Sequence, residues 1–246
     1  MTPAQEFEIE LEVFRGEAES ATQFLFGNLA VHAVAVDKGR VYELLNTAPL
    51  FWNTALGALQ LSAFIALGRI FDQKSAHNVD RLLGLAQRNL DIFSKHALAV
   101  RKRRGSSNAD EWLDEYLKTA FVPTAEDFRR LRRHVAKRRQ IYEARYRDIR
   151  HKFFAHREVS DEAEVHALFG KTKVSELRQL VVFLQRLHEA LWQLLHNGRR
   201  PTLRPMRHSV KRMLDLPSPK GGLDTVQERI IREAEKFLVS AARDTK

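Results

Sequence analysis

The sequence predicts an all-α chain, and three observations carry that prediction. Proline occurs only at positions 3, 49, 123, 201, 205, 217 and 219, so residues 50–122 and 124–200 are free of it. A proline inside a helix removes a backbone donor and clashes with the preceding turn, so proline-free stretches this long permit long helices. No clean apolar–polar alternation is bounded by an Asn-Gly or Asp-Gly turn, the pattern expected of hairpin strands. Apolar residues instead recur at helical spacing. Between 173 and 197, Val174, Leu177, Val181, Leu184, Leu191 and Leu195 fall on one stripe. Leu180, Leu187 and Leu194 widen that stripe into a core-facing surface, broader than a coiled-coil seam.

In chain order, the same pattern places helices at about 4–36, 38–46, 49–72, 78–94, 109–118, 124–157, 173–197 and 224–243, with Gly16 a possible break in the first. Pro49 sits where a helix can begin, because its missing N–H has no intrahelical partner there. Thr124 and Asp127, behind Pro123, have the form of a capped start. Gly198 follows Leu194, Leu195 and His196 and provides a stop. Arg101 to Asp110 is basic and then Gly-Ser-Ser-Asn, which predicts an exposed loop. Arg199 to Gly222 holds four of the seven prolines and six basic residues from Arg199 to Arg212, the composition of a tether. The expected organisation is a helical domain at 1–200, then a basic tether and a last helix at 201–246. That helix carries Val226, Ile230, Ile231, Ala234, Phe237 and Leu238 on a face that must dock, on its own bundle or on a second chain. No internal repeat is found.

Composition narrows the function classes. The chain has 246 residues, 44% of them hydrophobic, enough for a sizeable core. It has no cysteine, which excludes disulfides and thiolate metal sites and suits a reducing cytoplasm. The net charge is +10 and the pI about 10.0, which favours a polyanionic partner. Met1 to Glu12 is acidic and polar, unlike a signal peptide. Leu50 to Gly68 carries no charge over 19 residues. It contains Asn53, Thr54, Gln60 and Ser62, which are costly in lipid. A buried helix at the centre of a soluble bundle is therefore expected, with no membrane. No Gly-rich phosphate loop and no His-Glu-x-x-His motif occurs, and neither a metal site nor a cofactor is expected.

The most informative segment is Arg147-Asp148-Ile149-Arg150-His151-Lys152-Phe153-Phe154-Ala155-His156. Arg150 keeps its charge near neutral pH and can make a forked contact to phosphate. His156 can take and give a proton near pH 7. One group moves a proton while the other holds the charge that builds on phosphorus, the pairing that metal-free phosphodiester cleavage needs. His151 lies i+4 from Arg147 and could bind phosphate or orient His156. In a regular helix Arg150 and His156 stand about 120° apart around the axis. Fraying after Phe154, or a two-fold dimer that brings two motifs into one cleft, would correct this. Phe153 and Phe154 are expected to anchor the helix end in the core.

Ten basic residues lie between Arg129 and Arg150. Arg132, Arg133, Lys137, Arg138 and Arg139 are candidates for an RNA-phosphate track, and a solvated face is the plainer alternative. Tyr142 and Tyr146, spaced i, i+4, could stack bases or pack on a neighbouring helix. Arg69 and Asp72, at i, i+3, close an apolar helix. They either pair with each other or line the cleft beside Arg150 and His156.

The Arg-His-Lys-Phe-Phe-Ala-His run resembles the signature of the HEPN superfamily of all-helical RNases and RNA-binding modules. It looks most like the abortive-infection AbiU-type branch. Leu67-Gly68-Arg69-Ile70-Phe71-Asp72 and the following Asn78 to Leu83 segment resemble that branch too. The resemblance implies a homodimer and a metal-independent endoribonuclease of a toxin–antitoxin or phage-defence system, cleaving RNA through 2′-OH attack. Arg150, His156 and His151 would be catalytic, supported by Arg69, Asp72 and Arg147, and a separate antitoxin protein is a possible partner. A non-catalytic RNA-binding or scaffold module is the alternative.

Overall fold

The computed structural model describes residues 1–155, 161–204, 209–215 and 225–244. Among them all regular structure is helical. The α-helices are α1 (Pro3–Asp37), α2 (Gly39–Thr47), α3 (Pro49–Phe71), α4 (Val79–Arg88), α5 (Lys95–Gly105), α6 (Leu113–Thr119), α7 (Ala125–Arg145), α8 (Glu162–Gly170), α9 (Val174–Asn197), α10 (Val210–Asp215) and α11 (Val226–Asp244). Short 3-10 turns cover Leu90–Phe93 and Ala109–Glu111, and a π-helical turn covers Ile149–Ala155.

Local signals set several ends. The Asn78 side chain accepts from Arg81 N–H at 2.9 Å and so caps α4. At the start of α7 the Asp127 carboxylate accepts both the N–H and the O–H of Thr124 at 2.9 Å. Before α11, Thr225 and Glu228 bond reciprocally, as in a capping box. Gly198 has φ +53° and ends α9, with Arg199 N–H reaching back to the Gln193 carbonyl at 3.2 Å. Gly198 N–H bonds to the Leu194 carbonyl at 3.1 Å, so this is an αL stop, and it needs a residue that adopts a left-handed conformation without strain.

Other expectations are corrected. α1 runs unbroken through Gly16. Arg101 to Gly105, expected in a loop, is the last turn of α5. Ser94 caps that helix, accepting from Ala97 N–H, and Leu98 and Ala99 bury one side of it. The predicted 124–157 helix leaves α geometry after Arg145, and α8 and α10 were not foreseen. α3 is long and apolar enough to cross a membrane, and only its second half is core. Phe64, Leu67 and Ile70 are buried, while Leu50 and Phe51 are 82% and 64% exposed. The expected central buried helix is therefore confined to residues 63–71, where neighbouring helices supply apolar partners.

The chain divides into two compact units. Unit 1 comprises Met1–Ala18, Arg69–Ala144 and Phe183–Pro205. Its core carries a run of rings, with Phe7 edge-on to Phe93 and Phe93 tilted against Phe128, both at 5.3 Å. Glu10 is buried and takes two contacts, from His77 Nδ1 at 3.0 Å and Arg81 Nε at 3.2 Å. Unit 2 comprises Glu19–Gly68, Arg145–Val182 and Met206–Lys246. There the last helix docks on its own chain, one of the two options open to it. Leu238 and Ala242 of α11 close a cluster formed by Val31, Val34, Ala35 and Val41, and Lys38 pairs with Glu235 at 2.6 Å. Burying Leu238 and Ile231 contributes about 1.5–3 kcal/mol each.

Candidate functional site

Arg150 is delivered by the π turn. Tyr146 and Ile149, just before it, are fully buried and fix the segment. Tyr146 lies 5.9 Å from the Phe64 ring of α3. Its hydroxyl donates to the Lys173 carbonyl at 3.0 Å and accepts the Lys173 N–H at 3.2 Å, tying the segment to the start of α9. Burial pushes the Tyr146 hydroxyl above the usual tyrosine range, so it stays protonated. Tyr146 and, in unit 1, Tyr142, stacked on Phe71 at 5.5 Å, therefore pack in cores and do not present faces to bases.

The turn from Ile149 to Ala155 is wound with i→i+5 bonding. The 100° step assumed from sequence does not hold across these residues. Such widened turns are frequent at functional sites. Phe153 meets the Phe169 ring of α8 edge-on at 5.2 Å, but both rings are half-buried, so the turn is anchored on α8 rather than in the core, where it was expected. His156 lies outside the described residues, as does the Phe154 side chain.

The Arg150 side chain runs over the backbone of Gly68 in α3. A methyl group at position 68 would stand 2.6 Å from Arg150 Cδ and 2.7 Å from Cζ. Only glycine leaves room for this approach. The two sequence islands, Leu67 to Asp72 and Arg147 to His156, thus meet at one contact. Gly68 is the residue that sequence reasoning passed over. Its signal was a glycine inside an apolar helix, where it costs about 0.5–1 kcal/mol relative to alanine.

Arg150 Nη2 lies 2.8 Å from His151 Nε2. A guanidinium only donates, so in this contact Nε2 is the acceptor. The pair therefore offers a fixed cation and a titratable ring side by side. Arg147 faces solvent and turns toward Asp148 at 3.9 Å, which Lys152 also approaches at 3.5 Å. Within unit 1, Arg69 pairs with Glu17 of α1 at 3.0 Å, while the Asp72 carboxylate accepts the Lys74 N–H at 3.0 Å.

The five basic candidates on α7 divide into two groups. Arg132 donates to the Asp80 carbonyl at 3.1 Å and Arg139 pairs with the Asp80 carboxylate, so both are turned to α4. Arg138 lies over the Phe183 ring at 5.6 Å. Arg133 is exposed and bonds to Glu126 at 2.9 Å, and Lys137 is exposed. His134, between them, is held below the usual histidine range by partial burial, then by Lys137, Arg138, Arg133 and Arg130.

The described residues form helices without a strand, as a HEPN-type bundle does. The HEPN family model described as AbiU2 matches residues 5–216, and the chain belongs to that abortive-infection family. No curated protein and no solved structure matches the chain.

Proposed function

We propose that the chain is a metal-independent endoribonuclease of a toxin–antitoxin or phage-defence system, acting in the cytoplasm as a homodimer with a composite site. The observation that carries the reading is the seating of Arg150, held against Gly68 and beside His151 within a π turn. A helix pays for such a turn in regularity, and one that fixes a cation next to an imidazole suits a site that must hold a phosphate in register. Arg150 stabilises the charge on the pentacoordinate phosphorus. His156 of one copy takes the proton from the ribose 2′-OH as that oxygen attacks phosphorus. His156 of the other copy protonates the leaving 5′ oxygen as the P–O5′ bond breaks. The products are a 2′,3′-cyclic phosphate and a free 5′-OH. His151 assists by releasing Arg150 to the phosphate. Arg133 and Lys137 guide the strand, while Arg132, Arg138 and Arg139 hold α7 in place.

The test is cleavage of total RNA with EDTA present, wild type beside Arg150→Ala and His156→Ala. Discrete cleavage by the wild type alone, with all three proteins folded, supports the reading. Salt-sensitive binding without cleavage by the wild type overturns it in favour of a non-catalytic RNA-binding module.

A further inference from the structure

One face of α3 carries no charge and is left uncovered by the described residues. Residues 44–68, from within α2 to the seat of Arg150, contain no Asp, Glu, Lys, Arg or His, in a chain where 29% of residues are charged. Composition alone does not produce so long a gap. Within unit 2 the inner side of this helix is packed. Trp52 and Leu56 lie against the cluster of Val31, Val34 and Val41, and the Asn28 side-chain amide donates to the Leu56 carbonyl at 3.0 Å. The other side presents Leu50, Asn53, Thr54, Gly57 and Ala58, all exposed, and Leu61, half-exposed. Their spacing of three and four residues makes one continuous face, with the exposed Phe51 ring at its edge.

Gly57 stands at the centre of that face. A Cβ at position 57 would meet nothing within 4 Å, so the fold of a single copy gives no reason for glycine there. Glycine destabilises a helix interior relative to alanine, and its use is to let another backbone come close. Gly57 and Gly68 are about 20° apart around the helix axis and about 16 Å apart along it, so they share one side. The uncovered face therefore leads into the place where Arg150 crosses Gly68.

Charge decides what covers it. Around a two-fold axis each residue meets its own copy, so any charge near the axis faces its like. A face without charge is what such an axis requires. With a net charge of +10, two copies repel over much of their surface, and this face lets them touch without setting like charges together. An acidic partner protein would be drawn to Lys and Arg, which the face lacks. A lipid surface fits less well. An interfacial helix flanks its apolar side with Lys and Arg, whereas here Asn53, Thr54 and Gln60 stand exposed among the apolar residues.

We propose that a second copy of the chain docks on this face, the two α3 helices crossing near Gly57 and running in the same direction. At interaxial distances of about 8–10 Å and crossing angles of about 20–50°, the two Gly68 positions then come within roughly 10–17 Å of each other. An antiparallel crossing leaves them about 30 Å apart. The inference names the partner surface of the composite site, and it rests on the RNase reading only for the pairing of the two Arg150 turns.

Sedimentation of the full chain over a range of concentrations tests this. Ala58→Arg, Ala58→Glu and their equimolar mixture are run beside the wild type, with thermal melts to show that each is folded. Ala58 is exposed, so a longer side chain there meets solvent in a single copy. Leu50→Lys, at the exposed end of the face, repeats the test at a second position. At a two-fold axis each Ala58 variant faces its own charge, while the mixture sets opposite charges together. The expected result is a wild-type dimer, a dimer weakened about tenfold or more in each single variant, and recovery in the Ala58 mixture. A wild type that stays monomeric at about 100 μM overturns the proposal. So do folded variants that dimerise like the wild type, or a mixture that does not recover. A monomer that instead binds phosphatidylglycerol vesicles, and loses them in Ala58→Glu, overturns it in favour of a lipid surface. RNA cleavage in EDTA on the same samples keeps the two readings apart. A dimer that cleaves nothing sinks the RNase and upholds the interface, and cleavage by a monomer sinks the interface and upholds the RNase.

Discussion

Replacing Gly68 with alanine separates seating the arginine from holding the fold. The added Cβ stands 2.6–2.7 Å from Arg150 Cδ and Cζ, and closer still to Nη1. Ordinary contact between carbons is about 3.5–4.0 Å, so the outer half of Arg150 must retreat by roughly 1 Å. That side chain is long and can move. The helix itself gains about 0.5–1 kcal/mol from alanine, while residual overpacking costs about 1–3 kcal/mol when it is not relieved. With the arginine displaced, the two nearly cancel. Unfolding stability should change by no more than about 1 kcal/mol, a Tm shift of about 2–4 °C for a chain of this length. Catalysis is less forgiving, because a misplacement of about 1 Å can cost about 100-fold in rate. The assay is EDTA-resistant RNA cleavage paired with thermal melts, on Gly68→Ala, Arg150→Ala and the double variant. The expected result is a folded Gly68→Ala protein with cleavage down about 100-fold, and a double variant no worse than Arg150→Ala alone. Wild-type cleavage by folded Gly68→Ala refutes the argument that this glycine seats the arginine.

Three further outcomes follow from the geometry. Asp80→Ala removes the carboxylate partner of Arg139, whose side chain is 13% exposed, and should lower stability by about 1–3 kcal/mol in chemical denaturation. Gly198→Ala forces a side chain into the left-handed region with a Cβ 2.7 Å from Leu98 Cδ2, and should cost about 2–4 kcal/mol. His134 and His196 are both held below the ordinary histidine range, chiefly by burial, so each binds fewer protons folded than unfolded. The stability they protect is complete above the unfolded value of about 6.5 and falls as pH drops through and below it. Melting should therefore move to lower temperature between about pH 7.5 and pH 5, and His196→Gln should flatten that slope.

What was legible in the sequence was local. Thr124 with Asp127, and Gly198, announce helix ends because a cap or a left-handed stop depends on residues within one turn. The stripe on α9 was legible for the same reason, except at Val174, which is 49% exposed. Less visible was α5, because Arg101 to Gly105 reads as a charged run into a Gly-Ser-Ser-Asn loop. Its helix is held by burial of Leu98 and by Arg101 bonds to the Leu195 and Ile92 carbonyls. The site was legible in its residue types but not in its geometry. The division of the α7 basic residues depends on Asp80, 52 residues from Arg132 and 59 from Arg139. The meeting of Gly68 with Arg150 is likewise a tertiary contact. The π turn is set by where Tyr146 and Phe153 find partners, which no helical periodicity encodes.

The docking of α11 has a consequence for the order in which the protein becomes competent. The cluster around Val31, Val34 and Val41 closes only with Leu238 and Ala242, and the Lys38–Glu235 pair joins residues 197 apart in the chain. At a ribosomal pace of about 5–20 residues per second, those partners emerge roughly 10–40 s apart. The unit that holds Gly68 and Arg150 is thus finished late in synthesis, by a segment made long after the motif itself. On the proposed RNase reading, such timing shields the message and the ribosome producing it until α11 has been made.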